Sequence, residues 1–129
     1  MATHDQCIFC NLSSERIIAE NELCLAIRDG FPVSEGHTLI IPKRHVADYF
    51  DLTPNEIAAM QTMMKEIKCQ LANELHPDGY NIGINVNAAA GQTVFHVHIA
   101  VGTGDRDDLR AQLGRLECRT PSHVAVTGE

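Results

Sequence analysis

Two histidines stand at alternate positions in Gly91-Gln-Thr-Val-Phe-His96-Val-His98-Ile-Ala100-Val101. Read with a period of two, Phe95, Val97, Ile99 and Val101 share one side, while Val94, His96, His98 and Ala100 share the other. That alternation predicts a half-buried β-strand, with a greasy side on the core and the imidazoles about 7 Å apart on the opposite face. A strand needing only a polar outer face has little use for histidine. Two at alternate positions suit a metal site, an acid/base pair or a nucleophile. A second group of reactive side chains lies at the other end of the chain, where Cys7 and Cys10 form a C-x-x-C pair.

The elements that must position these residues are legible from pattern. Ile17-Ile18 and Leu23–Ile27 read as two short strands around Asn21-Glu22. Residues 29–37, rich in turn formers, read as a loop; Thr38–Ile41 is a third strand, closed by Pro42. Thr53 with Glu56 makes a capping box, and Pro54 takes the first helical position. Ile57, Met60, Met64, Ile67, Leu71 and Leu75 then recur on one helical face until Pro77 and Gly79. The helix is expected to cover one face of the sheet, with its methionines as core filler. Tyr80, Ile82, Ile84 and Val86 alternate with Asn81, Gly83, Asn85 and Asn87, predicting a strand. The short loop Ala88–Gln92 joins it to the histidine segment as an antiparallel hairpin, which sets Asn85 on the side of His96 and His98. The chain is expected to leave the sheet at Gly102–Asp105. A short helical pattern (Leu109, Leu113, Leu116) and a polar tail follow.

A chain of 129 residues is long enough for one domain with a real core. At 44% hydrophobic and 21% charged it has the composition of a soluble globular protein. The formal charge of −7 argues against binding a nucleic acid polymer, which needs clustered Lys and Arg. A small phosphate ligand, held by backbone N–H groups and neutral donors, stays open. No apolar run is long enough to span a bilayer, and the first residues lack a secretion signal, so no membrane partner and a cytoplasmic location are expected. Five cysteines in such a chain do not suggest a disulfide framework. Cys24 and Cys69 fall in apolar patterns and read as small core residues; Cys118 is unassigned.

Gly36-His-Thr-Leu-Ile-Ile-Pro-Lys-Arg-His45, followed by Gly91-Gln-Thr-Val-Phe-His-Val-His98, resembles the histidine triad (HIT) superfamily, and Cys7-x-x-Cys10 ahead of them resembles its small nucleotide-hydrolysing members. The resemblance runs from Cys7 to Val101, leaving 102–129 as a divergent segment of a single domain. It implies an α+β fold, with a five-stranded antiparallel sheet, one long helix and short helices, assembled as a homodimer. It also implies nucleotidyl hydrolase or transferase activity on purine nucleoside phosphoramidates or dinucleoside polyphosphates. The family signature is His-φ-His-φ-His-φ-φ, where φ is apolar, and its middle histidine is the nucleophile. His98 holds that position.

The remaining roles follow from the same resemblance. Asn85 would lie against the α-phosphate, Gln92 and Thr93 near phosphate oxygens, Asp29 on the ribose hydroxyls and Ile27 in the base pocket. His37 would lie beside the nucleophile and help to orient it, and His96 would support His98. Cys7, Cys10, His45 and His96 match the positions through which some similar proteins hold a structural zinc, and Cys₂His₂ is a donor set tetrahedral zinc prefers. A reduced thiol pair is the alternative. The departure is Ala100, where the signature calls for a third histidine; a methyl group donates no proton. Loss of a general acid costs roughly 10² to 10⁴ in rate. An engineered substitution, a branch without histidine there, and a nucleotide-binding protein with little turnover all stay open. The segment Gly102-Thr-Gly104 could supply backbone N–H groups to phosphate in its place.

Overall fold

The computed structural model describes residues 6–29 and 36–104. Its strands are β1 (Ile17–Glu20), β2 (Cys24–Arg28), β3 (Thr38–Pro42), β4 (Gly79–Ile84) and β5 (Ile99–Gly104), with one long helix, α1 (Pro54–Leu75), between β3 and β4. The strands form a single five-stranded sheet in the order β1-β2-β3-β5-β4, with every neighbouring pair antiparallel. Short 3-10 turns at Ser14–Arg16, Tyr49–Asp51 and Ala88–Ala90 complete the α+β architecture. No helix among the described residues is long and apolar enough to cross a membrane. The expected helical pattern at 107–116, the polar tail and Cys118 lie outside the described residues.

Helix α1 starts as its sequence dictates. The Thr53 hydroxyl accepts from the Glu56 amide at 3.1 Å, and the Thr53 amide donates to Glu56 Oε1 at 2.8 Å, so two donors of the first turn are satisfied. It ends at His76, whose φ of 48° closes the last turn ahead of Pro77. Met60, Met63, Ile67 and Leu71 form the buried stripe, packed on Cys24, Ala26 and Ile40 of the sheet and on Val97, Ile99 and Val101. The stripe is rotated slightly from expectation. Met63 rather than Met64 is at its centre, and Ile57 is 38% exposed, because Glu56 turns inward at the helix start. Gly36 lets the loop before β3 pass the end of this helix. Its φ is +81°, and a Cβ there would stand 2.7 Å from Leu75 Cδ1 and 2.8 Å from Leu71 Cδ2.

The opposite face of the sheet is covered too. Cys7 and Phe9 pack on Ile27, Leu39 and Ile41, with Val94 and Ala100 at the margin. The N-terminal segment therefore forms a second, smaller core, and the face carrying the histidines is not simply a solvated one.

Four sequence expectations need correction. The histidine segment is not regular strand throughout: the chain bends at 94–96 and the ladder begins only at Ile99, so the alternation fails at Phe95, which is 46% exposed. The chain does not leave the sheet at Gly102, since Gly102, Thr103 and Gly104 pair with Asn81, Tyr80 and Gly79. Ile82 is expected on the core side but is 55% exposed, because α1 lies over β2 and β3 and β4 is the edge strand on the far side of β5. Cys69 is exposed on α1, whereas Cys24 is fully buried as expected, and its burial pushes the thiol up to about 11.

Candidate functional site

The four predicted metal-ligating residues converge, although three separate segments supply them. Cys7 and Cys10 come from a tight turn in which the Cys10 amide donates to the Cys7 carbonyl at 3.2 Å. His45 follows β3, and His96 sits in the bend before β5. His96 Nδ1 stands 3.4 Å from Cys7 Sγ and 3.5 Å from Cys10 Sγ, and His45 Nδ1 stands 3.2 Å from Cys10 Sγ. One donor atom from each residue lies within 4.8 Å of all the others. Tetrahedral zinc, with bonds of about 2.3 Å to sulfur and 2.0–2.1 Å to nitrogen, requires sulfur–nitrogen edges of about 3.6 Å. The observed spacings are close to that. These residues can hold a metal ion.

Hydrogen bonding assigns the two nitrogens of His96. Its Nε2 is 2.7 Å from the Pro42 carbonyl, which only accepts, so Nε2 carries the proton and Nδ1 keeps its lone pair toward the thiols. His96 is fully buried. Burial, together with the neighbouring Cys7, pushes the Cys10 thiol up to about 11. A divalent cation held by these residues would offset that penalty by binding the sulfurs as thiolates. The helix steadies the His45 segment through the preceding residue: Arg44 donates to both Glu56 oxygens, at 2.9 and 2.8 Å. That fork, and then the Thr53 amide, holds the Glu56 carboxyl down at about 2 against the opposing effect of burial.

His98 is placed by the same segment. Its Nδ1 is 2.9 Å from the His96 carbonyl, again an acceptor only, so Nδ1 is protonated and Nε2 is left with an in-plane lone pair. The ring is half-buried, with the ring of Phe9 beside it at a centroid distance of 5.2 Å. β4 pairs Ile84 with Ile99, where the ladder ends, and Asn85 and His98 are the next residues beyond that pair. The Asn85 amide donates to the Gly91 carbonyl at 3.4 Å and is otherwise exposed on the hairpin loop. Thr93 is exposed on the same loop.

The other expected residues sit differently. Gln92 is 3% exposed and spends its side chain on the loop: Oε1 accepts from the Asn87 amide at 2.7 Å, and Nε2 donates to the carbonyls of Ala47 at 2.8 Å and Val94 at 3.1 Å. Its amide builds the loop rather than reaching out toward a phosphate. Ile27 is fully buried beneath the N-terminal segment, packed with Phe9, Leu39 and Ile41. His37 lies beside Asp29, with Nδ1 3.2 Å from Oδ2 but angled off a hydrogen bond. The register puts Thr38 opposite Val101, which carries His37 several residues along the sheet from His98. Ala100 lies between Leu39 and Gly83, and neither offers a donor in place of the missing histidine. Gly102, Thr103 and Gly104 run beside β4 as the end of the β5 ladder.

Sequence reasoning missed Phe9, the Pro42 carbonyl and the Arg44–Glu56 fork. Only the first carried a signal, an aromatic residue inside the C-x-x-C pair.

This arrangement is that of a known class. Residues 12–106 match the HIT domain family, and the chain belongs to it. A HIT-like protein of Mycoplasma genitalium is 41% identical over 103 residues, covering 77% of this chain and 73% of that one. Adenylylsulfatase HINT3 of Arabidopsis thaliana is 36% identical over 101 residues, covering 75% of this chain but only 51% of its own length. Among solved structures, a zinc-bound histidine triad family protein from Mycobacterium smegmatis superposes with a TM-score of 0.74 at 39% identity, covering 82% of this chain and 80% of that one.

Proposed function

We propose that this HIT-family protein is a nucleotidyl hydrolase or transferase that attacks the α-phosphate of purine nucleoside phosphoramidates or dinucleoside polyphosphates. The observation that carries the reading is the hydrogen bond from His98 Nδ1 to the His96 carbonyl, which puts the lone pair of the neutral, half-buried ring on Nε2. Nε2 forms a bond to phosphorus as the bond to the leaving group breaks; water then cleaves the phosphorus–nitrogen bond and returns free His98. Asn85, exposed just beyond the last pair of the β4–β5 ladder, offers an amide to the phosphate, and exposed Thr93 a hydroxyl. Asp29 takes the ribose hydroxyls, with His37 beside it. The metal at Cys7, Cys10, His45 and His96 is zinc; the Cys₂His₂ donors and their spacing support it. A second copy of the chain pairs through β4, one of the two edge strands, where Ile82 is exposed.

The test is incubation with a labelled adenosine phosphoramidate, then mapping of label to His98, beside titrations with AMP, GMP and a dinucleoside polyphosphate. Absence of both label and nucleotide binding would discard the reading. Nucleotide binding without turnover is the second reading, favoured by the methyl group at Ala100.

A further inference from the structure

Phe9 serves neither the metal site nor the phosphate chemistry directly, yet it touches both. It stands between Cys7 and Cys10, is 8% exposed, and packs on Ile27, Leu39 and Ile41. Its ring meets two imidazoles edge-on, with centroids 6.0 Å from His96 and 5.2 Å from His98 and interplanar angles of 83° and 69°. His96 meanwhile presents its side chain to the two sulfurs and its carbonyl to His98 Nδ1. Two routes thus run from the Cys₂His₂ cluster to the nucleophile, one through the main chain of His96 and one through the Phe9 ring.

The two routes do different things. A single hydrogen bond at Nδ1 fixes the tautomer and one corner of the imidazole, but leaves the ring free to tilt about that corner. The aromatic edge contact limits the tilt. Phe9 in turn is held by its own backbone turn, whose two ends are the sulfur-bearing residues.

We infer that Phe9 is a positioning residue for His98, and that ligation of Cys7 and Cys10 holds Phe9 in place, so that metal loading and nucleophile orientation are coupled. The kinetic consequence rests on the proposed function; the structural one does not. Small misplacements of a reacting group lower rates by large factors, and removing the ring is expected to slow nucleotidyl transfer to His98 by roughly 10- to 100-fold.

The test compares wild-type protein with Phe9→Leu, which keeps apolar bulk in the small core. Metal content, melting midpoint, and the rate and half-saturation of His98 labelling are measured, with NMR spectra of the His98 ring in zinc-loaded and chelator-stripped protein. The expected result is equal zinc content, a similar midpoint, slower labelling and an unchanged half-saturation. Zinc loading should displace the His98 ring signals in the wild type and move them far less in Phe9→Leu. Labelling at the wild-type rate in Phe9→Leu would overturn the inference, as would His98 signals that ignore zinc while zinc binds. If no nucleotide labels even the wild type, the proposed function fails and the spectra alone decide. Should stripping unfold the chain, the two zinc-loaded proteins are compared, and identical His98 ring signals in them count against the coupling.

Discussion

Gln92 Nε2 donates to the Ala47 carbonyl at 2.8 Å, tying the loop before the histidines to the segment that carries His45. With its bonds to Asn87 and Val94, this buried amide joins three stretches of backbone.

Replacing Gln92 with alanine strands the Asn87 amide and the Ala47 and Val94 carbonyls. Each lost bond is worth about 0.5–1.5 kcal/mol, more where the orphaned group stays buried, so a loss of about 2–3 kcal/mol in denaturant unfolding is expected. A variant as stable as the parent but weak in nucleotide binding would instead restore Gln92 as a phosphate ligand.

Introducing the missing histidine, Ala100→His, supplies a proton donor on the face shared with His98. Adjacent Gly83 leaves room, since a Cβ built on it meets nothing within 4 Å. Turnover of an adenosine phosphoramidate should rise by roughly 10² to 10⁴. Unchanged turnover would show that protonation of the leaving group does not limit the parent protein.

Cys10→Ser removes one sulfur from the cluster. Purified wild-type protein should carry about one zinc per chain, and the variant far less, with a lower melting midpoint because a ligand bound only by the folded state stabilises it. Metal analysis giving no zinc in the wild type would leave the reduced thiol pair as the reading of Cys7 and Cys10.

The Glu56 carboxyl is held below its ordinary 4.5, at about 2, first by the Arg44 hydrogen bonds. A depressed carboxyl contributes stability that is present above its unfolded value and is lost as pH falls through the folded one. Acid titration of stability should therefore steepen between about 4.5 and about 2, and Glu56→Gln should flatten that interval while lowering stability at neutral pH. Half-exposed Arg44 makes the effect sensitive to salt. Equal acid slopes for the two proteins would contradict the assignment.

Much of the fold was legible because local signals agreed. The capping box, Pro54 and the apolar period placed α1, and alternation placed β4 against β5. The failures have two causes. Phe95 is exposed because the chain bends at 94–96, and Ile82 because burial depends on what packs opposite; periodicity reports neither the bend nor how far α1 reaches. The site divides in the same way. The donor types of Cys7, Cys10, His45 and His96 could be read, and their convergence is now seen. The inward set of the Gln92 amide was not legible, because a loop glutamine looks the same in sequence whether its amide points out or in.

The approach of Cys7 to His96 closes a span of 89 positions. A cross-link of that reach forms late, once the sheet has brought distant ends together, since closing a long loop costs entropy before any contact rewards it. Metal should accordingly act as a brake on opening: unfolding slows with zinc while refolding keeps its pace. The N-terminal turn is then the last piece to lock and the one that governs how long the folded chain survives.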